Sequence, residues 1–427
     1  MVTSYRSKLL ADFSERGLIH EVSAGLDERM AKDPSISAYI GFDPSADSLH
    51  VGHLMGVLAL RRLQLAGGRP IALVGGGTGM IGDPSGRSAE RNLLDRGTLD
   101  ANRAAIGAQL ARLLDFSGAS GALLLDNLEW LGDLGMMDFL RDTGKHLTVS
   151  YMLAKDSVKS RLEGGLSFTE FSYMLLQSYD FLMLRKLHGV ELQMGGSDQW
   201  GNITAGTELI RKAARGEAHG LTFPLLTDAA GKKFGKTEAG AVWLDAARTS
   251  PYQFYQFWIN TEDADVGRLL RTFTLLDRTT IEGIEAEHAA APHLRGAQRR
   301  LAAEVTTLIH GAAATETAAQ VSQTVFDKKA DAHALSDAVF TMLAAEMPSV
   351  RLTPVDGAID LVALLEQGFG VSKTAARKLI QQGAVAVNGA KVGAEAQTVA
   401  ASEAVRGRWV LVRKGAREIA VAELVAG

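Results

Sequence analysis

Cysteine is absent from all 427 residues. That excludes disulfides, thiolate nucleophiles and zinc sites built on sulfur. No apolar run reaches the roughly 18 residues that span a bilayer. The early Asp12, Glu15 and Glu21 fit neither a signal peptide nor an Arg-rich transit peptide. These absences predict a cytoplasmic protein without membrane contact. Hydrophobic residues make up 46%, ordinary for a globular chain, and the length suggests two to four domains. The net charge of −4 announces no polyanionic partner.

Charge distribution says more than the total. From Lys373 to Arg417 there are nine basic residues against Glu395 and Glu403, a balance of +7 that leaves the rest of the chain at −11. A basic module on an acidic body suits a polyanion such as RNA, although a basic stretch can also be a solvated face.

Apolar runs at 37–42, 70–75, 122–127 and 190–195 read as short strands, each bounded by Gly, Pro, Asp or Asn. A helix is predicted from Leu49 to about Ala66, with Ser48 as N-cap and Gly67-Gly68 as the stop. Strand–helix–strand order predicts an α/β fold with a parallel sheet. In such sheets ligands sit beyond the carboxyl ends of the strands. Residues about 99–160 read as a helical insertion between the sheet's halves. An α-helical domain is expected at 250–347, then a break at Pro348–Pro354 and a compact module over 352–427.

Five segments carry chemistry. In the first, a strand ending Tyr39-Ile40-Gly41-Phe42-Asp43-Pro44-Ser45 leads to His50-Val51-Gly52-His53 at a helix start. Two imidazoles at i, i+3, beside the N–H groups of a helix start, suit a phosphate. An HxxH pair also reads as a metal pair or as ordinary capping, but no third metal ligand is evident. In the second, Gly77–Gly82 formally match a dinucleotide-binding GxGxxG. The turn Asp83-Pro84-Ser85-Gly86 that follows prevents the helix such a motif requires. The third places Tyr173, Gln177 and Asp180 on one face of an otherwise apolar helix, where buried polar groups need partners. The fourth, Gly195-Gly196-Ser197-Asp198-Gln199, ends a strand. The fifth, Lys233-Phe234-Gly235-Lys236-Thr237, puts two lysines on a Gly-containing loop, suited to a polyphosphate.

Together these segments resemble one family. HVGH is similar to the HIGH motif of class I aminoacyl-tRNA synthetases, and KFGKT to their KMSKS loop. YIGFDPSADSLHVGH, GGGTGMIGDPSGR, FSYMLLQSYDF and GGSDQWGN resemble the bacterial tyrosyl-tRNA synthetases. The stretch from Val371 through Gly389 resembles an S4 RNA-binding module. The resemblance covers essentially the whole chain.

It implies a Rossmann-like catalytic domain over 1–230, a KMSKS-like loop and linker over 231–249, a helical anticodon-binding domain and a small α+β S4-like domain. It implies ATP-dependent activation of L-tyrosine and transfer to tRNA(Tyr) by a homodimer, with Mg²⁺ accompanying ATP and no permanent cofactor or protein metal cage. Tyr39 and Asp180 would bind the phenol, and Tyr173, Gln177 and Asp83 the α-ammonium. Asp43, Gln199 and Asp198 would line the amino acid and adenylate, Asp198 on the ribose. Gly41, Gly52 and Gly196 would let backbone approach the ligand. Ser45, His50 and His53 would hold ATP. Lys233, Lys236, Arg87 and Arg91 would meet the pyrophosphate, and Lys373, Arg377 and Lys378 the tRNA. Ser45 and Arg87 stand where many relatives carry Thr and Lys. The chemistry of each survives, so a change in rate is expected rather than a change in reaction. A non-catalytic RNA-binding relative and a tryptophan-specific enzyme are the competing possibilities, with a dinucleotide-dependent oxidoreductase more distant.

Overall fold

The computed structural model describes residues 4–85, 94–162, 165–227, 234–237, 240–327, 330–415 and 418–425. The chain divides into two compact units. One is Met1–Thr249 with Thr261–Leu301, the other Ser250–Asn260 with Ala302–Gly427.

The first unit opens with helix α1 (Lys8–Glu15) and the two-residue strand β1 (Glu21–Val22). Its frame is β2 (Ser37–Phe42), α2 (Val51–Leu65), β3 (Arg69–Val74), α3 (Arg96–Leu113), β4 (Leu123–Asp126), α4 (Phe168–His188), β5 (Leu192–Gly196), α5 (Trp200–Ala213) and β6 (His219–Phe223). The sheet order is β1-β6-β5-β2-β3-β4. All neighbours pair in parallel except β1 with β6. From β2 the chain winds outward through β3 and β4, then returns to build β5 and β6 on the other side. The carboxyl ends of β2 and β5 therefore flank a topological switch point, where such sheets open a crevice. A short hairpin, β7 (Lys236–Thr237) with β8 (Gly240–Ala241), follows.

All four expected strands form, shifted by two residues at most. Two others escaped prediction, β1 and β6. Strand β6 is buried at every residue, yet His219, Gly220 and Thr222 interrupt its apolar signal. Gly220 is required there, since a Cβ would lie 2.4 Å from Ile203 of α5. The supposed insertion at 99–160 is also corrected. Helix α3 is the crossover between β3 and β4, and both belong to the sheet layer. The long connection between the halves begins only after β4.

In the second unit, α6 (Pro251–Ile259) packs on α8 (Ala312–Phe326), and α8 on α9 (Asp337–Glu346); helix α7 (Asp263–Phe273) belongs to the first unit. The rest comprises β9 (Ser349–Leu352), β10 (Ala358–Asp360), α10 (Leu361–Phe369), α11 (Lys373–Gln381), β11 (Val385–Val387), β12 (Ala390–Lys391), β13 (Thr398–Ala400), β14 (Trp409–Lys414) and β15 (Glu418–Leu424). The larger sheet runs β12-β11-β14-β15-β9.

Along β14, alternate residues serve different cores. Val410 and Val412 face Leu364 and Ile380 of α10 and α11, whereas Trp409 and Leu411 join Val339, Phe340 and Leu343 of α9. Trp409 stacks on Phe340 at 5.6 Å and donates to Asp337 at 3.0 Å. Both sheet faces are thus covered, as a period-two strand allows. This overturns the expectation of an independent 352–427 module on a linker. Its sheet is one wall of the helical layer's core, and a cut at 352 severs β9 at its last residue. The expected 250–347 helical domain is likewise divided, because 261–301 belongs to the first unit.

Candidate active site

A cavity of about 350 Å³ opens at the switch point of the first unit. It is lined by Tyr39, Gly41, Asp43 and Ser45 from the end of β2 and its turn, and by His50, Gly52 and His53 from the start of α2. Asp83 adds to these, with Tyr173, Gln177 and Asp180 from α4, Gly196 at the end of β5, and Asp198 and Gln199 just after it. The i, i+4, i+7 spacing on α4 therefore aims three polar groups at one space.

The deep end is buried. Tyr39 is buried, packs edge-on against Phe181 at 5.3 Å, and its hydroxyl has no hydrogen-bond partner among the described residues. Burial raises its pKa well above 10, and the nearby Asp180 charge adds to the shift. Asp180 accepts from Asn127 Nδ2 at 2.9 Å and Trp130 Nε1 at 2.7 Å. Burial nonetheless pushes its carboxyl up to about 7 against those two donors, with the Asp43 and Asp126 charges adding to the rise. A buried hydroxyl without a partner among the described residues and a carboxylate in a buried site call for a ligand that both donates and accepts.

The middle is a continuous polar network. Asn127 accepts from the backbone N–H of Gly77 at 2.8 Å and donates to Thr78 Oγ1 at 2.9 Å as well as to Asp180. Thr78 donates to Asp43 at 3.2 Å. Gly75 permits this arrangement, because a Cβ there would lie 2.5 Å from both Asp43 Oδ1 and Thr78 Oγ1. On the other wall, Gln199 donates to Asp83 at 2.7 Å, and Asn202 donates to Ser85, Gln177 and Gln199 at 3.1–3.2 Å. The Gly-rich segment after β3 forms a 3₁₀ turn at Thr78–Met80 rather than opening a helix, which removes the dinucleotide-binding alternative.

The mouth lies at the start of α2. The N-cap is His50, not the expected Ser48. Ser48 instead donates to Leu49 O and accepts from Gln109 Nε2 and Asp245 N. His50 Nδ1 accepts from Gly52 N at 3.0 Å, and His53 Nδ1 accepts from His50 N at 3.2 Å, a reciprocal capping box. With Nδ1 an acceptor in both rings, the neutral imidazoles carry their proton on Nε2. The rings stack at 3.8 Å. Capping and donor presentation are thus one arrangement, and the two expectations for this pair do not compete. Gly235, with φ +81°, lies against Val51 and Gly52, so the lysine-bearing segment starts beside the helix entry.

Arg87, Arg91 and Lys233 lie outside the described residues, and of Lys236 only the backbone is described. Lys373, Arg377 and Lys378 sit exposed on α11 in the second unit. The +7 balance overstates the available charge. Arg413 is buried and donates to the carbonyls of Thr324, Val325 and Asp327, Arg408 pairs with Glu423, and Lys414 pairs with Glu418. Sequence reasoning missed Thr78, Asn127, Trp130 and Asn202. Asn127 and Trp130 had one available signal, their place at the end of a predicted strand. Among the described residues no cluster of three or more His, Asp or Glu side chains could hold a metal, and no helix is long and apolar enough to cross a membrane.

This is a parallel-sheet enzyme fold with its polar cavity at the switch point and a histidine pair at the helix start. Residues 31–327 match the class I tRNA synthetases (W and Y), and residues 340–421 match the SYY-like C-terminal domain of tyrosine–tRNA ligase. The chain belongs to the class I tRNA synthetases of the tryptophan and tyrosine group. Within that group, a tyrosine–tRNA ligase of Anaeromyxobacter dehalogenans is 50% identical over 418 residues, 97% of this chain and 99% of its own. That of Geobacillus stearothermophilus is 49% identical over 416 residues, 96% and 98% of the two chains. A C-terminally truncated mitochondrial tyrosyl-tRNA synthetase from Aspergillus nidulans superposes with a TM-score of 0.68 at 32% identity, covering 74% of this chain and 94% of its own.

Proposed function

We propose that this chain is a tyrosine–tRNA ligase: it activates L-tyrosine with ATP and transfers the tyrosyl group to the 3′ end of tRNA(Tyr). The observation that carries the choice of tyrosine is the buried Tyr39 hydroxyl, partnerless among the described residues, in the pocket of Asp180. A phenolic OH donates to the Asp180 carboxylate and accepts from Tyr39, satisfying both. An indole N–H donates only, and a phenyl ring does neither.

At the other end of the substrate, Tyr173, Gln177 and Asp83 receive the α-ammonium, with Asp43 and Gln199 beside it. The backbones of Gly41, Gly52 and Gly196 let the nucleotide approach, Asp198 takes the ribose, and Ser45, His50 and His53 face the phosphates. One tyrosine carboxylate oxygen bonds to the α-phosphorus as the bond to pyrophosphate breaks. A terminal ribose hydroxyl of tRNA then attacks the tyrosyl carbonyl and AMP departs. No protein nucleophile is needed, because the attacking carboxylate is already ionised. Positioning and charge stabilisation supply the rate. The Nε2 donors of the histidine pair, with Lys233, Lys236, Arg87 and Arg91, act on the phosphate charge. Mg²⁺ arrives with ATP, held mainly by phosphates and water.

Helix α11 meets tRNA phosphates through Lys373, Arg377 and Lys378, and the enzyme works in the cytoplasm as a homodimer. Of the seventeen exposed large apolar side chains among the described residues, eight fall between Leu124 and Phe168, including Met136, Met137 and Val149. That concentration favours the stretch as the face shared by two copies. Sedimentation of Phe168→Asp as a monomer would support it.

Pyrophosphate exchange with tyrosine, tryptophan and phenylalanine tests the whole reading. Exchange with tyrosine alone is expected. Exchange preferring tryptophan, or none with any amino acid, would overturn it.

A further inference from the structure

Five side chains form a row with the histidine pair inside it. Phe42, buried at the end of β2, meets His53 edge-on at 6.5 Å. His53 stacks on His50 at 3.8 Å and 17°. Trp243 meets His50 edge-on at 5.9 Å and 62°. The Arg248 guanidinium lies 3.6 Å from the Trp243 ring centre and bonds Asp47 at 2.6 Å. The two imidazoles are thus one slab held between two aromatic rings.

The Phe42 side is fixed by the sheet. The Trp243 side is fixed by its own backbone, because Val51 N donates to Val242 O at 2.9 Å and Leu244 N to Leu49 O at 2.8 Å. Trp243 N also donates to Thr249 Oγ1 at 3.0 Å. The segment that carries Trp243 is therefore laced to the start of α2. The capping bonds to Nδ1 fix one atom of each ring. The ring contacts on either side of the pair bear on its tilt.

From this row we infer that Trp243 and Arg248 are positioning residues for activation: Trp243 holds the His50–His53 slab at the tilt that aims both Nε2 donors at the phosphate, and Arg248 holds Trp243. The inference rests on the proposed tyrosine activation. Neither residue needs to touch substrate, and the deep end of the cavity contains neither.

The test is tyrosine-dependent pyrophosphate exchange by the full chain, with tyrosine affinity measured separately by calorimetry. Trp243→Ala should slow exchange on the order of 100-fold, the cost of misplacing a donor by about 1 Å, while tyrosine affinity stays at the wild-type value. Trp243→Phe should retain most of the rate. In a His50→Ala background, Trp243→Ala should add little, since two residues acting through one interaction are not additive. Arg248→Met, at a half-exposed position, should cost about two- to fivefold, the worth of an exposed cation–π contact, and puts little of the fold at stake. A wild-type rate in Trp243→Ala would overturn the inference. So would an equal loss in the His50→Ala background, or a matching loss of tyrosine affinity. If Trp243→Ala does not fold, a wild-type rate in both Arg248→Met and Trp243→Leu overturns it. Absence of exchange in the wild-type protein would sink the functional reading instead.

Discussion

The two ends of the cavity are built differently. The deep end rests on β2 and the middle of α4, is buried, and holds polar groups whose partners come from distant segments. The mouth rests on the first turn of α2 and on segments that return to it, and its polar groups include the histidine pair. The deep end is suited to choosing a substrate by leaving polar groups unpaired when the wrong one enters. The mouth is suited to stabilising charge that appears only during reaction.

That contrast predicts effects of different kinds. The largest concern the phosphates. Replacing Lys233 or Lys236 by Ala should slow single-turnover adenylate formation about 10²- to 10³-fold, with tyrosine affinity nearly unchanged. A wild-type activation rate in both variants would remove the lysines from the chemistry. Next comes Asp180→Ala, which strands Asn127 and Trp130. It should lower kcat/KM for tyrosine about 10²-fold and leave phenylalanine far less affected. Smaller still, Tyr39→Phe should cost tyrosine about tenfold. Equal losses for both amino acids would erase the distinction between the two ends.

A fourth prediction uses pH. The Asp180 carboxyl is ionised less readily in the fold, near 7 rather than its ordinary 3.8. Between those values the folded state holds a proton that the unfolded chain has released, so unliganded stability should fall as pH rises from about 4 to about 7. Tyrosine affinity should move the other way, because the carboxylate is the better acceptor for the phenol. Both trends should vanish in Asp180→Asn; a tyrosine affinity flat across pH 5–8 would contradict the acceptor role. The smallest effect concerns RNA. Replacing Lys373, Arg377 and Lys378 by Ala should weaken tRNA binding and flatten its salt dependence, with pyrophosphate exchange untouched. An unchanged salt slope would move the contact elsewhere.

Much of the frame was legible in the sequence because apolar runs and their breakers announce β2 to β5. Strand β6 was not, since its burial is completed by His219 and Thr222 pairing with Ser23 and Glu21, 196 and 201 positions away, and by a glycine chosen for helix clearance. The α2 N-cap was misplaced because Ser48 is the stronger capper by type, yet its hydroxyl is engaged by Gln109 and Asp245, which lie 61 and 197 positions away. The roles at Tyr39 and Asp180 came from resemblance to a family, not from pattern. Asn127 shows why the rest stayed hidden. It joins Gly77, Thr78 and Asp180 from about 50 positions away on either side; its place at the end of a predicted strand is its one local mark, and its partners exist only after the sheet has formed. The independence expected of the C-terminal module failed for a related reason. The break at Pro348–Pro354 is real in the sequence, but which faces of β14 are covered is a tertiary fact.

That strand has a consequence for how the second unit comes apart. Because β14 gives alternate side chains to two cores, neither core can loosen without exposing the other's wall. The helical layer and the basic module should therefore lose protection together, and the β14 amides should be among the slowest in the unit to exchange with solvent deuterium.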